Sequence, residues 1–274
     1  MKRALNKRGG KKHQLYFEDL FTDDESESPS VGNSYTAPPG SSSARGAADA
    51  CGGGEPRITP ARTEPQREYH AALQGTASVV VCCGPAGSGK TLAACEHAVK
   101  FLEEGRYRRV VLVRPAVSTE DLGYLPGTLL EKLFHYLKPM YDVFESYYGK
   151  KQFAQMIDHG VVEPCALAYC RGRTFKHALI IADEMQNATP EQLKMLITRM
   201  GTGSKVVITG DLRQHDQAYG KVNGLHDFIR RWDAYSASRS DAPSSSIHIV
   251  RFGRSDIQRH PVLEHVLRAY EDDS

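Results

Sequence analysis

The sequence predicts an α/β fold: a mostly parallel sheet with helices on both faces. Three observations predict it. Short apolar, β-branched runs recur along the chain, at residues 78–83, 109–113, 178–182, 204–209 and 247–252. Amphipathic helical patterns separate them, which is how parallel strands are connected. Polar or glycine-rich clusters follow the strands, at residues 84–91, Arg114, Asp183-Glu184 and 211–214. In such a sheet, functional groups collect at the carboxyl ends of the strands.

Composition narrows the field. With 274 residues, 40% of them hydrophobic, the chain can bury one substantial core and still carry a tail. A formal net charge of +2 gives no global excess that would demand a nucleic-acid partner, so any basic surface is local. No run reaches the ~18 apolar residues of a membrane span, and no membrane partner is expected. The basic N-terminus lacks the apolar stretch of a secretory signal. Six cysteines form no C-x-x-C pair. That argues against a zinc or disulfide framework and fits a reducing, cytoplasmic compartment.

Residues 1–55 read as a disordered low-complexity tail. A basic block (Lys2, Arg3, Lys7, Arg8, Lys11, Lys12) precedes an acidic one and then Ser/Gly/Ala/Pro-rich sequence. Too little apolar area is present to offset the entropy of ordering. The folded domain is expected over 56–274. Thr63-Glu64-Pro65-Gln66 matches a capping box and opens a helix to about Leu73. The strand at 78–83 and a helix over 92–102 follow, then the strand at 109–113. Residues 116–159 form a helical insertion at the sheet edge, punctuated by glycine and proline. Two helices are expected there, about 128–137 and 140–148, broken at Pro139. Their aromatics, among them Tyr136, Tyr141, Phe144 and Tyr148, either stack bases or pack a core; helical spacing favours the core. A strand over 161–168, the strand at 178–182 and a helix over 190–200 capped by Thr189 come next. After the strand at 204–209, the pattern closes with a helix over 224–232, a loop over 236–246, a strand over 247–252 and a helix over 262–270.

The most informative stretch is Gly84-Pro85-Ala86-Gly87-Ser88-Gly89-Lys90-Thr91. It fits G-x-x-x-x-G-K-[ST] between a strand and a helix, the context that the motif requires. Its glycines let successive N–H groups curl around a phosphate, and the helix N-terminus adds partial positive charge. Lys90 suits the β- and γ-phosphates of ATP, and the Thr91 hydroxyl suits Mg²⁺. Asp183, ending an apolar strand, fits a Mg²⁺-associated carboxylate opposite Thr91. Glu184 beside it is placed to polarise water for attack on the γ-phosphate. Thr209-Gly210-Asp211 and Gln214 end a strand expected next to the loop strand, where polar tips can sense that phosphate.

Together these motifs resemble the PhoH family of P-loop ATPases. The resemblance rests on residues 84–91, Arg114-Pro115-Ala116-Val117 and Leu122-Gly123-Tyr124-Leu125-Pro126-Gly127. Arg171-Gly172-Arg173-Thr174, Asp183-Glu184-Met185-Gln186-Asn187, Thr209-Gly210-Asp211 and Arg259-His260-Pro261 complete it. It implies a RecA-like domain, similar to one motor domain of superfamily 1 helicases. It also implies ATP hydrolysis, an RNA-linked role and a homo-oligomer, with a hexameric ring suggested. By resemblance, Gln66 contacts adenine, Lys90 and Thr91 hold phosphate and Mg²⁺, Asp183 coordinates the metal and Glu184 is the base. Gln186 and Gln214 couple nucleotide state to the rest of the domain. The proline of Thr63-Glu64-Pro65-Gln66 is displaced by one place from the family pattern, so the capping role of Gln66 competes with the adenine role. The resemblance extends to a single motor domain, without a fused nuclease, a KH domain or a second motor domain.

The leading reading is therefore an ATPase acting on or near single-stranded RNA, with helicase or remodelling activity as its extension. The competing class is a nucleotide-sensing adaptor that binds ATP and recruits a partner such as a ribonuclease. A small-molecule kinase is disfavoured by Asp183-Glu184. A lone motor domain needs a further cation at the transferring phosphoryl group. Arg259 is the candidate, supplied across a subunit interface, with Arg254 in reserve.

Overall fold

A computed structural model describes residues 56–115, 129–213, 223–239 and 246–258, with residues 129–135 as backbone only. Its centre is a six-stranded sheet in which every pairing is parallel. The strands are β1 (Val79–Cys83), β2 (Arg109–Arg114), β3 (Val162–Ala166), β4 (Ala178–Ala182), β5 (Lys205–Gly210) and β6 (Ile247–Arg251). Their order across the sheet is β3-β2-β4-β5-β1-β6. The helices are α1 (Glu64–Gln74), α2 (Lys90–Glu103), α3 (Leu129–Asp158), α4 (Pro190–Ile197) and α5 (Gly224–Ser238).

Strand period explains the layers. In β1, Val80 and Cys82 face a core shared with Tyr69, Ala94, Phe101 and Phe144 from α1, α2 and α3. Val79, Val81 and Cys83 face the opposite core, with Leu193 and Leu196 of α4 and Leu225 and Ile229 of α5. All five residues of β1 are buried, as are all five of β4, so these strands read as unbroken apolar runs. Each large side chain so buried contributes about 1.5–3 kcal/mol of transfer free energy. Pro164 lies in β3, at the sheet edge, where a strand can lack one N–H donor.

The topology positions the site. The chain leaves β1 through α2 on one face towards β2. It later crosses from β5 through α5 on the other face to β6. The carboxyl end of β1 therefore opens where the winding reverses, between β5 and β6.

Two expectations need correction. The insertion helix does not break at Pro139; α3 runs through it. Burial of Leu137, Met140, Tyr141 and Phe144 on both sides of the proline offsets the missing N–H. The interruption lies at Gly149, whose φ of 76° and ψ of 154° are non-helical and suit glycine alone. Tyr141, Phe144 and Tyr148 pack the core. The second correction is α5, which continues to Ser238, into the stretch expected as loop. Ser236 and Ser238 donate to the carbonyls of Asp233 and Tyr235 at 3.1 and 3.0 Å, which keeps serine compatible with a helix. The tail, the segment with Leu122 to Gly127 and the expected last helix lie outside the described residues.

Candidate functional site

The glycine-rich loop joins β1 to α2. Gly84 has no room for a side chain: a Cβ there would lie 2.6 Å from Phe252 Cβ, because the end of β6 packs against the loop. Gly89 takes a left-handed φ of 85° and caps α2. Lys90 is the first residue of α2, and its ammonium curls back into the loop. It donates to the carbonyls of Gly84 at 2.7 Å and Pro85 at 2.8 Å. Ser88 Oγ donates to Pro85 O at 2.7 Å.

Asp183 follows β4 directly, and its N–H donates to Val113 O at 2.9 Å. Its carboxylate is 4% exposed. One oxygen accepts from Thr91 Oγ1 at 2.7 Å and from Thr209 Oγ1 at 2.5 Å. Residues from α2, β4 and β5 thus converge on one carboxylate, as the pairing of β4 with β5 and of β5 with β1 requires. Among the described residues, no group of three or more His, Cys, Asp or Glu side chains is arranged to hold a metal ion. A single buried carboxylate beside a hydroxyl fits a different kind of site. It suits Mg²⁺, which takes most of its oxygens from phosphate and water.

Glu184 begins a tight turn with φ 56° and ψ 35°, in the left-handed region. Its Oε1 lies 3.4 Å from Arg114 Nη2, and its Oε2 accepts from Gln186 Nε2 at 2.5 Å. Gln186 Oε1 in turn accepts the Asp211 N–H at 3.1 Å. Gln186 therefore links the turn after β4 to the turn after β5. Gly210 is required here, since a Cβ would lie 2.7 Å from Gln186 Oε1.

Beside Gly87 to Gly89, Gln66 is 3% exposed, and both the oxygen and the nitrogen of its amide are bonded. Its Oε1 accepts from the Arg62 N–H at 2.8 Å, the Thr63 N–H at 3.4 Å and Gln258 Nε2 at 2.8 Å. Its Nε2 donates to Asp256 O at 3.1 Å. The capping box is present, so that reading of Gln66 holds. The same side chain borders a cavity formed with His70, Leu92, Glu96, Phe252 and Gln258, next to Ser88 and Gly89. Gln258 N–H donates to Gly87 O at 2.9 Å, so the segment after β6 leans on the loop. A second cavity flanks Gly84 and Pro85, lined by Asp211, Arg213, Arg251 and Arg254.

The structure brings together Gln66, the loop residues 84–91, Asp183 and Glu184. Gln214 and Arg259 lie outside the described residues. Sequence reasoning missed two contributors, Tyr69 and Asp256. Tyr69, fully buried, donates to Lys90 O at 3.3 Å. Asp256 accepts from the Thr63 hydroxyl and from the Gly253 N–H, the latter at 2.7 Å. Thr209 and Arg114 had been noted only as motif members. The turn spacing Gly253-x-x-Asp256 was the one local signal for Asp256.

A loop that curls around a buried ammonium at a helix N-terminus, with an acid across from its threonine, is built to hold nucleotide phosphates. This is a nucleotide-binding P-loop protein. The family model of the PhoH-like protein matches residues 58–271, and the chain belongs to that family. The PhoH-like protein of Bacillus subtilis (strain 168) is 39% identical over 214 residues, which are 77% of this chain and 63% of that protein. The PhoH-like protein of Synechocystis sp. is 38% identical over 78% of this chain and 62% of its own length. Protein PhoH of Escherichia coli (strain K12) is 36% identical over 77% of this chain and 57% of its own length. The match thus spans about three fifths of these relatives. A solved structure, the Sulfolobus solfataricus SWI2/SNF2 ATPase core in complex with dsDNA, aligns over 73% of this chain and 47% of that one. Its TM-score is 0.42 at 12% identity. Among the described residues no helix is long and apolar enough to cross a membrane.

Proposed function

We propose that this chain hydrolyses ATP with Mg²⁺. The observation that carries the reading is the convergence of Thr91 and Thr209 on the Asp183 carboxylate, with Glu184 as the next residue. Thr91 and Asp183 would hold the metal, which would neutralise charge on the phosphates. Lys90 would exchange its bonds to the loop carbonyls for the β- and γ-phosphates. Glu184 would take the proton of the attacking water. Gln186, bonded to both Glu184 and the Asp211 N–H, would transmit the state of that carboxylate to the turn after β5. The cavity beside Gln66 would receive the adenine. The RNA-linked role and the homo-oligomer are supported by the family resemblance. Arg259, just before the expected last helix, would be the cation supplied by a neighbouring subunit, because a lone motor domain needs a further positive charge at the transferring phosphoryl group.

The test is steady-state turnover of the parent chain and of Glu184→Gln, with and without single-stranded RNA. The variant should keep ATP–Mg²⁺ binding and lose about 10²- to 10⁴-fold in turnover. An unchanged rate would remove Glu184 from the base role. Tight binding by a parent chain that never turns over would favour the adaptor reading. Stimulation by RNA would support the RNA-linked one.

A further inference from the structure

We propose that Arg114 is a positioning residue for the hydrolytic step: it clamps the Glu184 carboxylate and ties it to helix α3. The proposal rests on the hydrolase reading above. Arg114 is the last residue of β2, and its side chain is 18% exposed. Among the described residues the guanidinium has partners on two different elements. Nη2 lies 3.4 Å from Glu184 Oε1, and Nη1 donates to the backbone carbonyl of Tyr136 in α3. The second contact sits at a disturbed part of that helix. Pro139 offers no N–H to the carbonyl of residue 135, and the carbonyl one place on takes a donor from outside the helix.

Glu184 needs such a clamp. It stands on a left-handed turn, 38% exposed at its side chain, and holding a glutamate there costs rotamer entropy. The Arg114 guanidinium lies against one carboxylate oxygen, and Gln186 donates to the other, so both oxygens have a partner that limits where the group can turn. Each oxygen keeps a lone pair for water, since an ionised carboxylate offers about four acceptor sites. The rigid fork of arginine is suited to holding two partners in fixed directions, and a lysine would hold one well. The base is thereby referenced to α3 as well as to its own strand. A shift of that helix against the sheet would be felt at the carboxylate through one side chain.

A merely structural ion pair at this exposure contributes little and would appear in stability alone. The experiment therefore reads kinetics on the full chain. Arg114→Ala should lower kcat roughly 10- to 100-fold, the scale expected for a displaced catalytic group, with KM and the Kd for ATP unchanged. Arg114→Lys should recover part of the loss. In a Glu184→Gln background, Arg114→Ala should cost nothing further, because the group it positions is already disabled. If the alanine variant fails to fold, Arg114→Gln keeps part of the aliphatic stem and a polar head without the charge, and the same three readouts apply. Unchanged kcat in an active enzyme, an equal loss in the Glu184→Gln background, or a rise in KM alone would overturn the proposal. The last would mean that Arg114 binds nucleotide. A parent chain without turnover would overturn the hydrolase reading as well, so the two failures are told apart by the parent's own rate.

Discussion

Two sides of the phosphate loop are built differently. On one side, Lys90, Thr91 and Asp183 are charged or hydroxylic, and one carboxylate oxygen gathers two hydroxyl donors. On the other, beside Gly87 and Ser88, the side-chain amides of Gln66 and Gln258 bond each other across 192 residues of sequence. Asp256 is 1% exposed there, and its carboxylate braces the clasp by accepting from Thr63 and Gly253. Under the proposed function the difference separates two tasks. Charge on the first side would suit phosphate and metal, which all nucleoside triphosphates share. Amides on the second would distinguish donor from acceptor on a base edge, and only while held in place.

The largest expected effect lies on the charged side. Lys90→Ala removes the ammonium that faces the phosphates and should weaken ATP and GTP alike, about 10²-fold by calorimetry. A loss confined to one of the two would break the division of tasks. At the clasp, Asp256→Ala leaves the Thr63 hydroxyl and the Gly253 N–H without their acceptor. Chemical denaturation should show a loss of roughly 1–3 kcal/mol. Preference for ATP over GTP should narrow, while pyrophosphate affinity stays as it was. An undiminished base preference would mean that the clasp holds the fold and nothing more.

The last effect concerns the seam where α1 meets α2. His97 of α2 is fully buried, and Nδ1 donates to Ala93 O at 2.9 Å while Nε2 faces Gln74 Nε2 of α1 at 3.4 Å. That bonding suits a neutral ring. Burial pushes its pKa down to about 4, and His70, Lys100 and Lys205 nearby push the same way. The unfolded chain takes up a proton below about 6.5 and the folded one only near 4, so stability falls as pH drops through that window. Between pH 7 and 5 the loss should be about 2 kcal/mol. His97→Gln, neutral throughout, should flatten that part of the stability profile. An unchanged slope would assign the acid sensitivity to other groups.

Much was legible from local pattern. The strand cores, the capping box at Thr63, the N-cap at Thr189 and the phosphate loop each depend on residues within a few places of one another. Asp183 could be matched to Thr91 because strand order in such sheets is narrowly constrained. Pro139 misled because the breaker rule weighs a missing hydrogen bond, and it is blind to the four large side chains whose burial holds α3 together.

By itself, then, the sequence determined the class of fold and the place of the phosphate loop, and it singled out Lys90, Thr91, Asp183 and Glu184 as candidates. Period, turn chemistry and motif spacing are local properties that a chain carries before it folds. Only the tertiary structure decided that Gln66 caps α1 and borders a cavity at once, that Asp256 braces it from 190 residues away, and that Arg114 joins Glu184 to α3. Those contacts exist because strands distant in sequence lie side by side, and no local pattern records which side chains then come within reach.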